Sequence, residues 1–238
     1  MQVQTDLRRL LRDEFLVGAS LYIAAVMVGL RFGMPALDAA LMERWSWNLD
    51  PYMPLIASYM AAALGGTLVG ILGGLLLLEM REENTIAAIL VAPWSVRRLL
   101  AAESAAAYGL GVGLILLQAY VVGVALPPVT LLLPIAMVFG LFAPIFMLTV
   151  ATFASSKLEA FALLKIVSLL ALAPAAAFFV PEPWQWGAAV FPPYGAMKAW
   201  WHAAAASGTV WPWLATGAVV QALWLLGLAR RFLADVRH

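Results

Sequence analysis

The sequence contains no cysteine, only two histidines, and few charges: Lys, Arg, Asp and Glu together make up 11% of its 238 residues. The first absence excludes disulfides and thiolate metal sites, without fixing a compartment. The second leaves little for metal or acid–base chemistry, since His202 sits beside Trp200 and Trp201 in a stretch that reads as interfacial and His238 ends the chain. No G-x-x-x-x-G-K-[ST] stretch occurs, so the chain does not cradle ATP phosphates in a P-loop of its own, and any nucleotide energy must come from another polypeptide. H-E-x-x-H and G-x-S-x-G are absent too. No apolar run pairs a nucleophile with a base, as an intramembrane enzyme requires. The middles of the apolar runs carry no charge, unlike ion-coupled secondary transporters, whose ionisable groups sit near the bilayer midplane. Net charge is +1 with the basic residues scattered, which leaves no nucleic-acid-binding face.

What remains is apolar. At 64% hydrophobic residues and a mean hydropathy of +0.93, the chain is an integral membrane protein rather than a soluble domain. Several uncharged runs exceed the roughly 18–20 residues a helix needs to cross the bilayer, and none alternates with a period of two, so the spans are helices. The fold class expected is all-α integral membrane with six transmembrane helices in a single transmembrane domain, 1–238.

Residues 1–14 set Leu7, Leu10, Leu11 and, one step on, Phe15 against Arg8, Arg9 and Arg12. This is an amphipathic helix at the membrane surface with Thr5 as its N-cap. Asp13 and Glu14 abut the apolar run and no small-residue cleavage site follows, which argues against a secretory signal. Spans one and two occupy 15–78, the first ending near Leu30 with Arg31 snorkelling to the far interface. An outer loop from Gly33 to Pro51 is expected to hold a short interfacial helix starting at Pro35, with Trp45 and Trp47 at headgroup level. On the second span, Gly66, Gly70 and Gly74 recur every four residues, a small-residue stripe suited to close helix packing within the chain.

Spans three to five fill 99–180, with a tight outer turn at Leu126-Pro127-Pro128 and kinks expected at Pro134 and Pro144 in the fourth. Residues 181–209, rich in proline and tryptophan, read as a broken outer hairpin of short helices dipping into the interface. Span six and a tail occupy 210–238. Six spans with the N-terminus inside leave only Arg31, Arg44 and Lys198 outside and the other eleven basic residues in the cytoplasm, a strong positive-inside bias. Glu103 stands about one turn into the third span and Lys165 near the inner end of the fifth, so the two are a candidate interhelical ion pair. Snorkelling of Lys165 is the alternative. Gln118 and Gln221 lie deeper and are expected to bond neighbouring helices.

The one long charged island, 79–98, must emerge into water between two membrane runs. Glu82 and Glu83 suit the positive end of a short helix, and Ile86, Ile89 and Leu90 form its apolar face. Pro93 stops it, and Ser95 caps the next helix, whose first turn carries Arg97 and Arg98. Such a helix either docks a soluble partner or lies on lipid.

The run Arg81-Glu82-Glu83-Asn84-Thr85, followed by Leu90-Val91-Ala92-Pro93-Trp94-Ser95, resembles the cytoplasmic loop of type-2 ABC exporter permeases, which often read E-R-E-x-G-T and then L-x-V-T-P-x-S. Met80 stands at the first acid of that pattern beside Glu79, Asn84 at its Gly and Ala92 at its Thr. Ser156 to Phe161, Lys165, Pro174, Trp184 and Pro193-Tyr194 are similar to the fluoroquinolone or multidrug export subgroup. The resemblance covers essentially the whole chain. It implies that Glu82, Glu83, Thr85, Ile86, Ile89, Leu90 and Pro93 belong to a coupling helix docking on a separate ATPase, with ATP and Mg held by that partner and no cofactor in this chain. It implies further two permease chains, identical or diverged, with two ATPase subunits in a prokaryotic inner membrane. A pathway for lipophilic drugs or lipids would run between the permeases, with Tyr59, Thr67, Phe161 and Ser168 as candidates for lining it. A membrane anchor that transports nothing and a secondary transporter are the competing expectations.

Overall fold

The computed structural model describes residues 14–82, 96–170 and 172–235, and among these every regular element is a helix. Among the described residues, five stretches are long and apolar enough to cross a membrane: Ser20–Trp45, Asp50–Arg81, Val96–Val122, Val129–Phe153 and Val210–Asp235. The amphipathic helix expected over 1–14 and the coupling helix expected between Glu82 and Ser95 fall outside the described residues, apart from Glu14 and Glu82 themselves.

Helix α1 (Glu14–Val28) passes through a wide turn of i→i+5 spacing, Gly29–Gly33, directly into α2 (Met34–Trp45). The expected loop at Gly33 and separate interfacial helix are therefore replaced by one unbroken helix. The reason lies in Pro35, which lacks an N–H and whose ring would crowd the Arg31 carbonyl in a regular α-helix. The wide turn just before it re-spaces the backbone there. Ser46 ends α2 in the left-handed region (φ 53°), its N–H bonded to the Met42 carbonyl at 3.0 Å and the next N–H to Leu41 at 3.4 Å.

The second crossing is α3 (Met53–Ala61), a second wide turn (Ala62–Leu68) and α4 (Val69–Glu82). The third is α5 (Val96–Val122). The fourth comprises α6 (Val129–Gly140) and α7 (Phe142–Phe153), interrupted at Leu141. The interruption falls three residues before Pro144, whose ring excludes the Gly140 carbonyl from its usual place, whereas Pro134 is carried inside α6 without a break. The stretch expected as span five holds α8 (Lys157–Leu170), α9 (Leu172–Ala176) and a tight turn, Ala177–Phe179. After a tight helical stretch at Trp184–Val190 come α10 (Tyr194–Ala204) and α11 (Val210–Asp235).

Glycines set the closest helix contacts. A Cβ built on Gly66 would lie 2.3 Å from Phe142, on Gly70 2.5 Å from the Phe146 Cβ, and on Gly74 2.7 Å from the Val150 Cβ. The stripe read in the sequence is thus the seam between the second crossing and α7, inside one chain. At Gly195 a Cβ would lie 2.5 Å from the Gly217 Cα, so α10 and α11 touch backbone to backbone.

The molecule has a charged end, where Glu79, Val96 and Lys157 lie, and a tryptophan end. The largest cluster of buried residues sits toward the latter and includes Ala61, Ile115, Phe139, Met197, Trp200 and Trp213. Helix α10 runs through it, with Tyr194, Met197 and Trp200 at most 1% exposed. The second helix of the hairpin expected over 181–209 is buried in the protein core. The polar groups that made it look interfacial satisfy one another. Buried Lys198 pairs with Glu182 at 3.0 Å and donates to the Gln185 side-chain oxygen, which also accepts from the Tyr194 hydroxyl at 3.2 Å. Burial and the nearby Glu182 carboxylate push the Tyr194 phenol up to about 12, so it stays a donor.

Candidate functional site

A cavity of about 900 Å³ opens between α4 and α5, with α1, α7 and α8 contributing at its edges. That is the size of a small-molecule pocket, about 300–1,000 Å³. Its long wall is α5, from Glu103 through Leu110 to Leu117, about 21 Å of helix. Facing it on α4 are Leu72, Gly73, Leu76 and Glu79.

The hollow follows from an alternation in the sequence Gly109-Leu110-Gly111-Val112-Gly113. Residues two apart on a helix point about 200° apart and residues four apart about 40°. Gly111 faces the core, where a Cβ would lie 2.8 Å from the Gly65 carbonyl oxygen. Gly109 and Gly113 face the other way, and a Cβ on either would meet nothing within 4 Å. They give the groove its depth without being required by packing.

Polar groups gather at one end. Lys157 at the start of α8 pairs with Glu79 at 3.1 Å, both about half exposed. Glu103 lines the same end and, among the described residues, makes no hydrogen bond or ion pair. Every other lining residue is apolar or glycine.

The sequence candidates divide as follows. Phe161 lines the groove near Lys157. Tyr59 packs instead on the core at the tryptophan end, and Thr67 lies in the wide turn outside the groove. Ser168 falls within α8. Glu103 and Lys165 do not pair: the ion pair at this end is Lys157–Glu79. The α8 register accounts for this, since Lys165 lies eight residues, about 12 Å, further along the helix than Lys157. Of the docking set only Glu82 is within the described residues, as the last residue of α4. Glu83, Thr85, Ile86, Ile89, Leu90 and Pro93 lie outside them.

The deep glutamines behave as expected. Gln221, fully buried, donates to the Val138 carbonyl at 2.9 Å beside the Leu141 bend. With its amide oriented to suit both neighbours, Gln118 donates to the Met60 carbonyl at 3.1 Å and accepts from the Ala61 N–H at 3.2 Å, next to the second wide turn. Arg31 reaches the opposite end of α5 and donates to the Val121 carbonyl at 2.5 Å, a cation on a helix C-terminus. Sequence reasoning missed the groove wall, although the glycine alternation and the run Ala105-Ala106-Ala107 signal a thin helix face. The inner turn expected at Ser156 and Lys157 does lead into α8, and there Ser156 and Glu159 form an S-x-x-E capping pattern in which the Glu159 N–H donates to the Ser156 hydroxyl at 3.2 Å.

The family model described as Fluoroquinolones export permease protein Rv2686c-like matches residues 6–229. Two proteins of Mycobacterium tuberculosis are similar: Fluoroquinolones export permease protein Rv2686c of strain ATCC 25618 / H37Rv and Fluoroquinolones export permease protein MT2760 of strain CDC 1551 / Oshkosh. Each is 30% identical over 241 residues, covering 97% of this chain and 92% of the relative. No solved structure matches the chain.

Proposed function

Because the chain belongs to the Rv2686c-like family of fluoroquinolones export permeases, we propose that it is the membrane-spanning subunit of an ATP-driven ABC exporter that moves lipophilic, drug-like compounds by alternating access. The observation that carries this reading is the family match over residues 6–229 of a chain that is a multi-pass membrane protein with no P-loop. ATP and Mg belong to a separate ATPase subunit, two copies of which serve two permease chains. The island around Thr85, Ile86, Ile89 and Leu90 docks it, and closure of the ATPases swings the crossings to open the pathway outward.

The proposed layout has six crossings in the inner membrane, with both termini cytoplasmic. Two contacts at opposite ends of the second crossing support the sixth. Lys157, at the start of α8, pairs with Glu79, whereas Phe179, past the end of α9, stacks on Tyr52 with ring centroids 5.9 Å apart. Tyr52 and Glu79 are 27 residues apart, about 40 Å of helix, so the chain from Lys157 to Phe179 travels the length of a membrane-crossing helix.

The test is reconstitution with a candidate ABC ATPase subunit from the same genome and measurement of ATP-dependent uptake of a fluoroquinolone into inside-out vesicles. Ile89→Arg, which puts a charge on the docking face, should abolish uptake while leaving insertion intact. Unchanged uptake in that variant would sink the docking role. ATP hydrolysis with no movement of any lipophilic compound would make the chain an anchor instead.

A further inference from the structure

We propose that the groove between α4 and α5 is a binding site for a cationic amphiphile, its positive headgroup against Glu103 and its apolar body along Leu110 and Leu117. The groove is elongated, about 21 Å along α5, and apolar except at one end, so it fits a long apolar body with one polar terminus. The charges at that end decide which terminus. Two carboxylates, Glu79 and Glu103, face one ammonium, Lys157, and Lys157 lies on Glu79 at 3.1 Å. One negative charge is left over, on a residue with no partner among the described residues.

Glu103 is half-buried, with Ala106 and Ala107 one turn further along the same wall, so its carboxylate gains more from a cation than it would in open water. An anionic headgroup would meet net repulsion, and a neutral one would leave Glu103 as it is. The glycines supply the second half of the specificity. With no Cβ at Gly109 or Gly113, the middle of the wall is thin where the apolar body must lie. The inference deepens the export reading, on which it rests for calling the occupant a passenger. Binding itself does not require transport.

The experiment uses the full chain in nanodiscs of zwitterionic lipid. The probe is dodecyltrimethylammonium bearing a photoreactive diazirine at its chain end, compared with the uncharged dodecanol counterpart. Labelled positions are mapped by mass spectrometry. Expected is cation labelling of α4 and α5 residues along the groove, about tenfold stronger than with the alcohol. Glu103→Gln should lower it by a similar factor, and Glu103→Asp should retain most of it. Gly113→Leu, which introduces its side chain where a Cβ meets no atom, should block both probes without unfolding the chain. Equal labelling by cation and alcohol, indifferent to Glu103→Gln, would overturn the assignment and make the groove a charge-blind seat for lipid tails. Labelling absent from the groove would overturn it as well, as expected if a second copy covers that face. ATP-dependent fluoroquinolone uptake is measured separately, so loss of the cation site with uptake intact removes the headgroup assignment and leaves the export reading standing.

Discussion

His202 shows how a single residue reports on its burial. Its Nδ1 lies 2.5 Å from the Ser207 hydroxyl and 3.0 Å from the Thr209 hydroxyl, and Ser207 donates to the His202 carbonyl at 3.2 Å. The other nitrogen, Nε2, is buried with no partner among the described residues, and the ring lies nearly parallel to Trp213. The doubly protonated ring would hold a buried N–H at Nε2 with no acceptor among the described residues. Burial first, and then the Lys198 ammonium, hold the imidazole below its ordinary value of 6.5, with Glu182 opposing. A depressed folded value means that the unfolded chain takes up the proton more readily. The stability this neutral ring contributes is full above pH 6.5 and is lost as pH falls through the folded value. Thermal unfolding in nanodiscs should therefore shift to lower temperature as pH falls below 6.5, and His202→Gln should flatten that stretch of the curve. The Glu182 carboxylate, held below its ordinary 4.5 by the hydrogen bond and charge of Lys198, contributes stability present above 4.5 and lost in stronger acid. A variant that keeps the full loss between pH 6.5 and 4.5 would mean that His202 is not its source.

At the scale of elements, two sets of glycines with similar spacing do opposite work. Gly66, Gly70 and Gly74 let the second crossing meet α7 at backbone distance, and Gly109 and Gly113 face a cavity. Gly70→Leu should destabilise by about 1–3 kcal/mol or displace α7, because its Cβ would sit 2.5 Å from the Phe146 Cβ and 2.7 Å from the Ala143 carbonyl oxygen. Gly113→Ala should be neutral or stabilise by up to about 1 kcal/mol, since only helix propensity changes. Thermal unfolding of the two variants side by side checks the contrast, and equal destabilisation would refute the cavity-facing assignment. The period of both glycine sets is legible in the sequence, and so is the opposition of Gly111 to its neighbours. Which face meets protein and which meets open space is not legible, because that depends on where the fourth crossing lies. The wide turns at Gly29–Gly33 and Ala62–Leu68 had no signature either. Spacing of i→i+5 requires no residue type, and Pro35 reads equally well as the first residue of a new helix.

For the whole molecule, hydropathy made the class and most crossings legible, because lipid leaves a spanning backbone no choice but helix. Between 181 and 209 it did not reveal that α10 is core, because polarity counts per residue, whereas Glu182, Gln185, Tyr194 and Lys198 pair among themselves and let α10 enter the core. The consequence is an asymmetric body. The tryptophan end is filled by α10, and the polar residues of the groove lie at the charged end, which the proposed layout puts on the cytoplasmic side. That orientation rests on the distribution of basic residues, and the chain lends itself to a direct check: with no cysteine, any one introduced is unique. Exposed positions for it are Glu43 and Gly187 at the tryptophan end and Arg97 and Arg230 at the charged end. A membrane-impermeant maleimide added to intact spheroplasts should label Glu43→Cys and Gly187→Cys, and label Arg97→Cys and Arg230→Cys only after permeabilisation. Labelling of Gly187→Cys only after permeabilisation, with Glu43→Cys labelled in intact spheroplasts, would mean that Lys157 to Phe179 does not cross. The Tyr52–Phe179 stack would then have to form on the wrong side of the bilayer, so this one position decides between five crossings and six.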